Sequence, residues 1–134
     1  MKTRIGLFSV ICVNVLLLAH ESPAKEIFEQ NLEKSFEVAP GGKLAVHADR
    51  GNINVTTDST GNVQIKVLRK VEGASKARAD ELFANHEVRF DQQGNTVTVE
   101  AKTKNNHFWS NLRANFDVRY EISIPKQFTW SPRA

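Results

Sequence analysis

At 134 residues, with 40% hydrophobic and 25% charged side chains, the chain has room for a single domain of ordinary globular composition. It carries 18 basic and 15 acidic side chains for a formal net charge of +3, and no basic block is longer than Arg69-Lys70. Nucleic-acid binding needs a clustered stripe of cations, so these alternating charges argue against it.

Lys2 and Arg4 precede an apolar run from Ile5 to Ala19, and Ser22-Pro23-Ala24 places small residues at both ends of a cleavage tripeptide. This is the layout of a secretory signal peptide, residues 1–24, cleaved after Ala24. Fifteen residues at about 1.5 Å each reach roughly 22 Å, short of a hydrocarbon core of about 30 Å, so contact with the membrane is expected only during export. The expected location is the periplasm or the cell surface. Cleavage removes Lys2, Arg4 and Glu21 and leaves 16 basic against 14 acidic side chains. It also removes Cys12, the single cysteine. A mature chain without thiols must be stabilised by its core alone.

Residues 25–34 read as a polar leader, mobile or a short helical turn. The period then becomes two. Phe36 and Val38 alternate with Ser35 and Glu37 before the turn residues Pro40-Gly41-Gly42; Leu44, Val46 and Ala48 follow, then a turn at Asp49 to Asn52, then Ile53 and Val55. Beyond Asp58 to Asn62 a longer strand carries Val63, Ile65 and Val67 inward, and Leu68 falls off phase, which predicts a bulge or a covered edge. The segment GASKARADELFANHE breaks the alternation. Ser75 offers an N-cap and Ala79, Leu82 and Phe83 share one helical face, so the spacing predicts a helix over 76–85. Strands return with Val88 and Phe90, and Gly94-Asn95 predicts a hairpin into Val97, Val99 and Ala101. A polar loop spans 102–114. The last strand is the most regular, with Phe116, Val118, Tyr120, Ile122 and Ile124 on one face, and residues 126–134 read as an irregular tail. The fold class is therefore all-β, a short-strand solenoid or sandwich-like unit with one short helix, its β-rich domain covering 35–125.

The order of motifs, Phe36-x-Val38-x-Pro40-Gly41-Gly42-x-Leu44-x-Val46, then Gly51-x-Ile53-x-Val55, Gly94-x-x-Val97-x-Val99 and Val118-x-Tyr120-x-Ile122-x-Ile124-Pro125, resembles the opening of the bacterial "putative adhesin" (head-GIN-like) domain family. The resemblance implies an exported or envelope-associated β-solenoid. In that family Ile124-Pro125 would lead into further rungs, whereas Phe128 to Pro132 shows no rung pattern here, so an incomplete domain is expected. A strand at 116–124 with no successor is then expected to expose an unpaired edge that invites self-association.

Side chains for chemistry are scattered. His47 falls at an outward strand position, His86 ends the helix and His107 sits in the loop, without the short spacings that bring imidazoles to one metal. Asp80, Glu81, Glu100, Asp117 and Glu121 fall on wet faces, and no serine sits in a nucleophile elbow. No catalytic residue, cofactor or metal site is expected. The one candidate interaction site is the loop holding Asn106, His107, Phe108 and Trp109, where aromatics among amides can stack on a sugar or anchor a protein. These readings favour an exported non-enzymatic envelope module with an envelope polymer or a protein as partner. The alternatives are a small carbohydrate-processing enzyme with its site near Phe108 to Leu112, or a non-functional fragment of a longer solenoid protein.

Overall fold

The structure, a computed structural model, describes residues 24–105 and 114–133; nearly all of the leader, residues 1–23, lies outside them. Eight strands and one helix follow in chain order: β1 Ile27–Glu37, β2 Lys43–Ala48, β3 Asn52–Asp58, β4 Asn62–Glu72, α1 Lys76–Asn85, β5 His86–Gln93, β6 Thr96–Thr103, β7 Asn115–Pro125 and β8 Thr129–Arg133. They form two four-stranded sheets, one ordered β1-β4-β7-β3 and the other β5-β6-β2-β8. The fold is all-β with one short helix. The inward residues of both sheets share a single core, with Val63, Ile65, Val67, Val118, Tyr120, Ile122 and Ile124 from the first facing Leu44, Val46, Val97 and Val99 from the second. Each such side chain contributes about 1.5–3 kcal/mol by leaving water, which a chain without disulfides needs from this one source.

The chain steps from one sheet to the other five times, between β1 and β2, between β2 and β3, between β4 and β5 through α1, between β6 and β7 and between β7 and β8. Strands after successive steps run side by side in the same direction: β2 is parallel to both β6 and β8, and β3 is parallel to β7. The remaining pairs are antiparallel, β1 with β4, β4 with β7 and β5 with β6. The β5–β6 hairpin turns at Gly94-Asn95 as the sequence predicts, with Gly94 at φ 58°. Helix α1 also occupies the predicted span, and Ser75 Oγ accepts from the Arg78 N–H at 3.3 Å as its N-cap.

Four expectations are corrected. The stretch 25–34 is no leader, because β1 begins at Ile27 and pairs with β4 along its whole length. Its apolar side chains recur every fourth residue at Phe28, Leu32 and Phe36, with Gln30 and Lys34 on the same inward side between them; an edge strand can leave such positions polar because one flank stays wet. Leu68 marks no bulge. The β4 register runs unbroken through Leu68 on both neighbours, and the irregularity is that an arginine, Arg69, takes the inward position beside it. The tail is not irregular, since β8 pairs with β2 and Phe128 is buried. Finally, β7 exposes no edge, for it lies between β4 and β3.

The two ends of the sandwich differ. Helix α1 packs against β1, β4 and β5, closing the end where β1 and β5 are the outer strands. At the other end the outer strands are β3 and β8, and no described residue pairs with their outer edges.

Candidate functional site

The loop singled out by sequence, Asn106, His107, Phe108 and Trp109, lies outside the described residues. Its approach is fixed by Asn85, the last residue of α1: Asn85 Oδ1 accepts from the Asn105 N–H at 3.1 Å, Asn85 Nδ2 donates to Asn105 O at 3.2 Å, and the Lys104 N–H donates to Asn85 O at 2.9 Å. The carboxylates sit where alternation puts them and face cations on the surface: Asp80 is 2.8 Å from Lys76 and Glu81 2.7 Å from Arg78, both exposed. Among the described residues no group of three His, Cys, Asp or Glu side chains is arranged to hold a metal. The concavities are shallow: one of about 400 Å³ across the first sheet mixes Glu33, Lys34, Lys66 and Glu121, and one of about 340 Å³ lies among the turns that hold Pro40, Gly61 and Gln127.

One polar cluster is buried inside the closed end. Arg69 projects inward from β4 under α1, and its Nη1 donates to the carbonyls of Phe83 at 3.1 Å and His86 at 2.7 Å. Those carbonyls end the helix, and a cation there satisfies acceptors that have no intrahelical partner and complements the negative end of the helix dipole. Arg69 Nη2 donates to Gln30 Oε1, which explains the glutamine on the inner side of β1, and the guanidinium lies 5.4 Å from the Phe83 ring centre. Burial is the chief influence on Arg69 and lowers its pKa. His86 packs edge-on to Phe116 at 5.6 Å and its Nε2 is 3.5 Å from the Tyr120 hydroxyl and 3.9 Å from Asp49 Oδ1. Burial first, then the Arg69 charge, push the His86 pKa down to about 4, against a weaker opposite pull from Asp49. Burial raises that of Tyr120. The imidazole is therefore neutral at ordinary pH and serves as a core side chain. Sequence placed His86 correctly at the helix end; its burial was signalled by its falling in phase with Val88 and Phe90.

The open end is built differently. In β3, alternate residues Ile53 and Val55 pair with Tyr120 and Ile122 of β7 and so share the inner face. In β8, Trp130 and Pro132 pair with Leu44 and Val46 and share it from the other sheet. Ile53 and Val55 are half-buried and Trp130 is 43% exposed, an apolar cross-section of the core with no described residue beyond it. The tail reaches this position because Phe128 seats on Gly42, where any Cβ would lie 2.2 Å from its ring, and the Thr129 N–H then donates to Gly42 O at 3.1 Å. The Thr129 N–H points to β2, so alternation turns the backbone nitrogens of Trp130 and Pro132 to the outer edge, and Pro132 has no N–H to offer there.

No family model matches this chain, and no curated relative matches it. Among solved structures it is similar to a protein from Bacteroides fragilis described as a "putative adhesin", at 13% identity and a TM-score of 0.41, over 77% of this chain. This chain spans 40% of the length of that protein. The likeness is a loose one and assigns no family.

What the open end can do follows from its edges. The outer strands at the closed end are charged, with Glu29, Glu33, Lys34 and Glu37 on β1 and Glu87, Arg89 and Asp91 on β5. Charges on an edge, and an inward-pointing lysine such as Lys34, are the usual defence against strand addition. From Asn52 to Thr57, β3 carries none. Its one carboxylate, Asp58, is turned to the Ser123 and Thr60 hydroxyls, whose hydrogen bonds, Ser123 first, lower its pKa. Sequence reasoning missed this site because it looked for an edge at β7; the signal available was the absence of charge from Ile53 to Thr57.

Proposed function

We propose that the chain is an exported, non-enzymatic module of the bacterial cell envelope that binds through the open end of its sandwich. Export is supported by the leader, with Lys2 and Arg4 before an apolar run and Ser22-Pro23-Ala24 after it. Binding is supported by one observation above all: the two outer strands at the closed end bear charges and a helix, whereas β3 is uncharged from Asn52 to Thr57 and carries the half-buried Ile53 and Val55, and β8, the outer strand of the other sheet, carries the exposed Trp130. A bare strand edge offers main-chain hydrogen bonds and the apolar seam beside it offers burial, the two ingredients of β-strand addition. The role is a contact, made with an envelope polymer or a protein.

Two measurements test this. Expressed with its leader in a bacterial host, the protein is expected outside the cytoplasm and shortened to begin near Lys25; a full-length cytoplasmic product refutes export. Amide hydrogen exchange of the mature chain, with and without isolated cell-envelope material, is expected to slow in β3 and β8. Slowing confined to other strands, or none, refutes binding at the open end.

A further inference from the structure

We infer that the occupant of the open end is a second copy of this chain, joined through β3 to β3 of its partner in antiparallel register about a two-fold axis at Asn54. The inference rests on the open end being the binding surface and adds what binds there. A two-fold axis perpendicular to a sheet extends the sheet across the axis, runs the paired edge strands antiparallel and keeps the inner face of each copy inward. The β3 sequence is self-complementary under that operation. Ile53 falls opposite the partner's Val55 and Val55 opposite the partner's Ile53, so two apolar cross-strand pairs form on the inner side. Asn52 falls opposite the partner's Thr56, and Asn54 faces the partner's Asn54 on the outer side. At the end of the strand Asp58, held by Ser123 and Thr60, falls opposite the partner's Arg50, so the only charges in the register are opposite in sign.

The β1 and β8 edges do not permit the same operation. Pairing β1 with a second β1 would bring Glu29, Glu33 and Glu37 together along one face, and Ile27–Glu37 has only Lys34 to offset them. On β8, Pro132 withholds a donor from the outer edge, so β8 contributes Trp130 as apolar cover rather than a hydrogen-bonded ladder. Joining at β3 therefore makes the first sheet continuous through eight strands, from β1 of one copy to β1 of the other. Both ends of the assembly are then charged edges closed by helices, so association stops at two.

The test uses the mature chain, which lacks Cys12 and so has no thiol of its own. Sedimentation equilibrium is expected to show a dimer. Asn54→Lys, at an exposed outer position, sets two ammonium groups face to face on the axis and is expected to weaken association at least about tenfold while leaving the circular-dichroism spectrum unchanged. Asn54→Cys is expected to give a disulfide-linked dimer on mild oxidation, whereas Asn31→Cys on the outer side of β1 gives none above random collision. A protein that stays monomeric, or Asn54→Cys cross-linking no faster than Asn31→Cys, overturns the inference. Monomers whose β3 amides are nonetheless protected by envelope material would overturn the second copy and leave the open end as the binding surface. Monomers without such protection would remove both.

Discussion

Lowering the pH from 7 to 5 is expected to cost the folded chain about 2 kcal/mol through His86 alone. The imidazole is buried against Phe116, close to the Tyr120 hydroxyl and within the field of Arg69, with Asp49 as the opposing charge and Arg50 adding a little to the repulsion. These surroundings depress its pKa from 6.5 to about 4. The unfolded chain therefore takes up a proton near pH 6.5 and the folded chain does not, so the unfolded state binds more protons throughout the window between the two values. Stability is complete above pH 6.5, falls as the pH drops through that window, and is lower by roughly 3 kcal/mol once pH 4 is passed, at about 1.4 kcal/mol per unit of pKa difference. That is a large part of the 5–15 kcal/mol or so that holds a typical domain together. Surface carboxylates complicate only the acid end: Glu72, Glu87 and Glu100 have pKa values lowered by hydrogen bonds to Lys70, Arg89 and Lys102, so their contribution falls below about pH 4.5. Urea unfolding followed by tryptophan fluorescence at half-unit steps from pH 7.5 to 5 isolates the histidine. The wild type should lose midpoint steadily, and both His86→Gln and His86→Phe should be flat over that interval whatever their absolute stability. Equal slopes in wild type and variants would refute the buried neutral imidazole.

Gly42→Ala should destabilise the fold by about 2–4 kcal/mol, combining loss of Phe128 burial with strain in a packed site. The added Cβ would lie 2.2 Å from Phe128 Cε2 and 2.4 Å from Asn95 O, a backbone oxygen of the β5–β6 turn, so the ring must leave and β8 with it. A lower urea midpoint together with fast amide exchange in β8 is the expected result, and an unchanged midpoint would contradict the packing. Arg69→Leu should cost about 1–3 kcal/mol, because the Phe83 and His86 carbonyls lose their donor while a desolvated charge is removed at the same time. Amide exchange should quicken first in the last turn of α1 and in β1 near Gln30; uniform quickening throughout the sheets would mean that the arginine does not cap the helix.

Alternation made most of this fold legible. Phe116, Val118, Tyr120, Ile122 and Ile124 lie inward on β7 as the pattern requires, and Ala79, Leu82 and Phe83 form the buried stripe of α1. The strands that escaped notice are edge strands, for a physical reason. A central strand is packed on one face and hydrogen-bonded on both flanks, so each inward position must be apolar; an edge strand has water along one flank and tolerates Gln30 and Lys34 between Phe28 and Phe36. In β8 the alternation Phe128, Trp130, Pro132 was present, but a proline argues against a strand unless its missing N–H faces outward, which only the pairing with β2 reveals. The candidate site was lost for the same reason, since a binding edge is defined by strand order, and strand order depends on which distant segments pair.

Strand order also explains why charge is distributed so unevenly. A sandwich with four strands in each sheet has four edges, and each must be blunted or used. Here β1 and β5 are blunted by carboxylates, Arg89 and the inward Lys34, and α1 packs against both. The outer edge of β8 is blunted by Pro132. That leaves β3, whose stretch from Asn52 to Thr57 has neither charge nor proline although the half-buried Ile53 and Val55 stand directly behind it. If β3 were simply a solvated edge, Asn54→Lys would remove a liability at no cost, and it should leave dimer content and amide protection at Ile53 and Val55 unchanged. If β3 is an interface, the same substitution should release monomers and expose those amides, so one exposed side chain separates the two accounts.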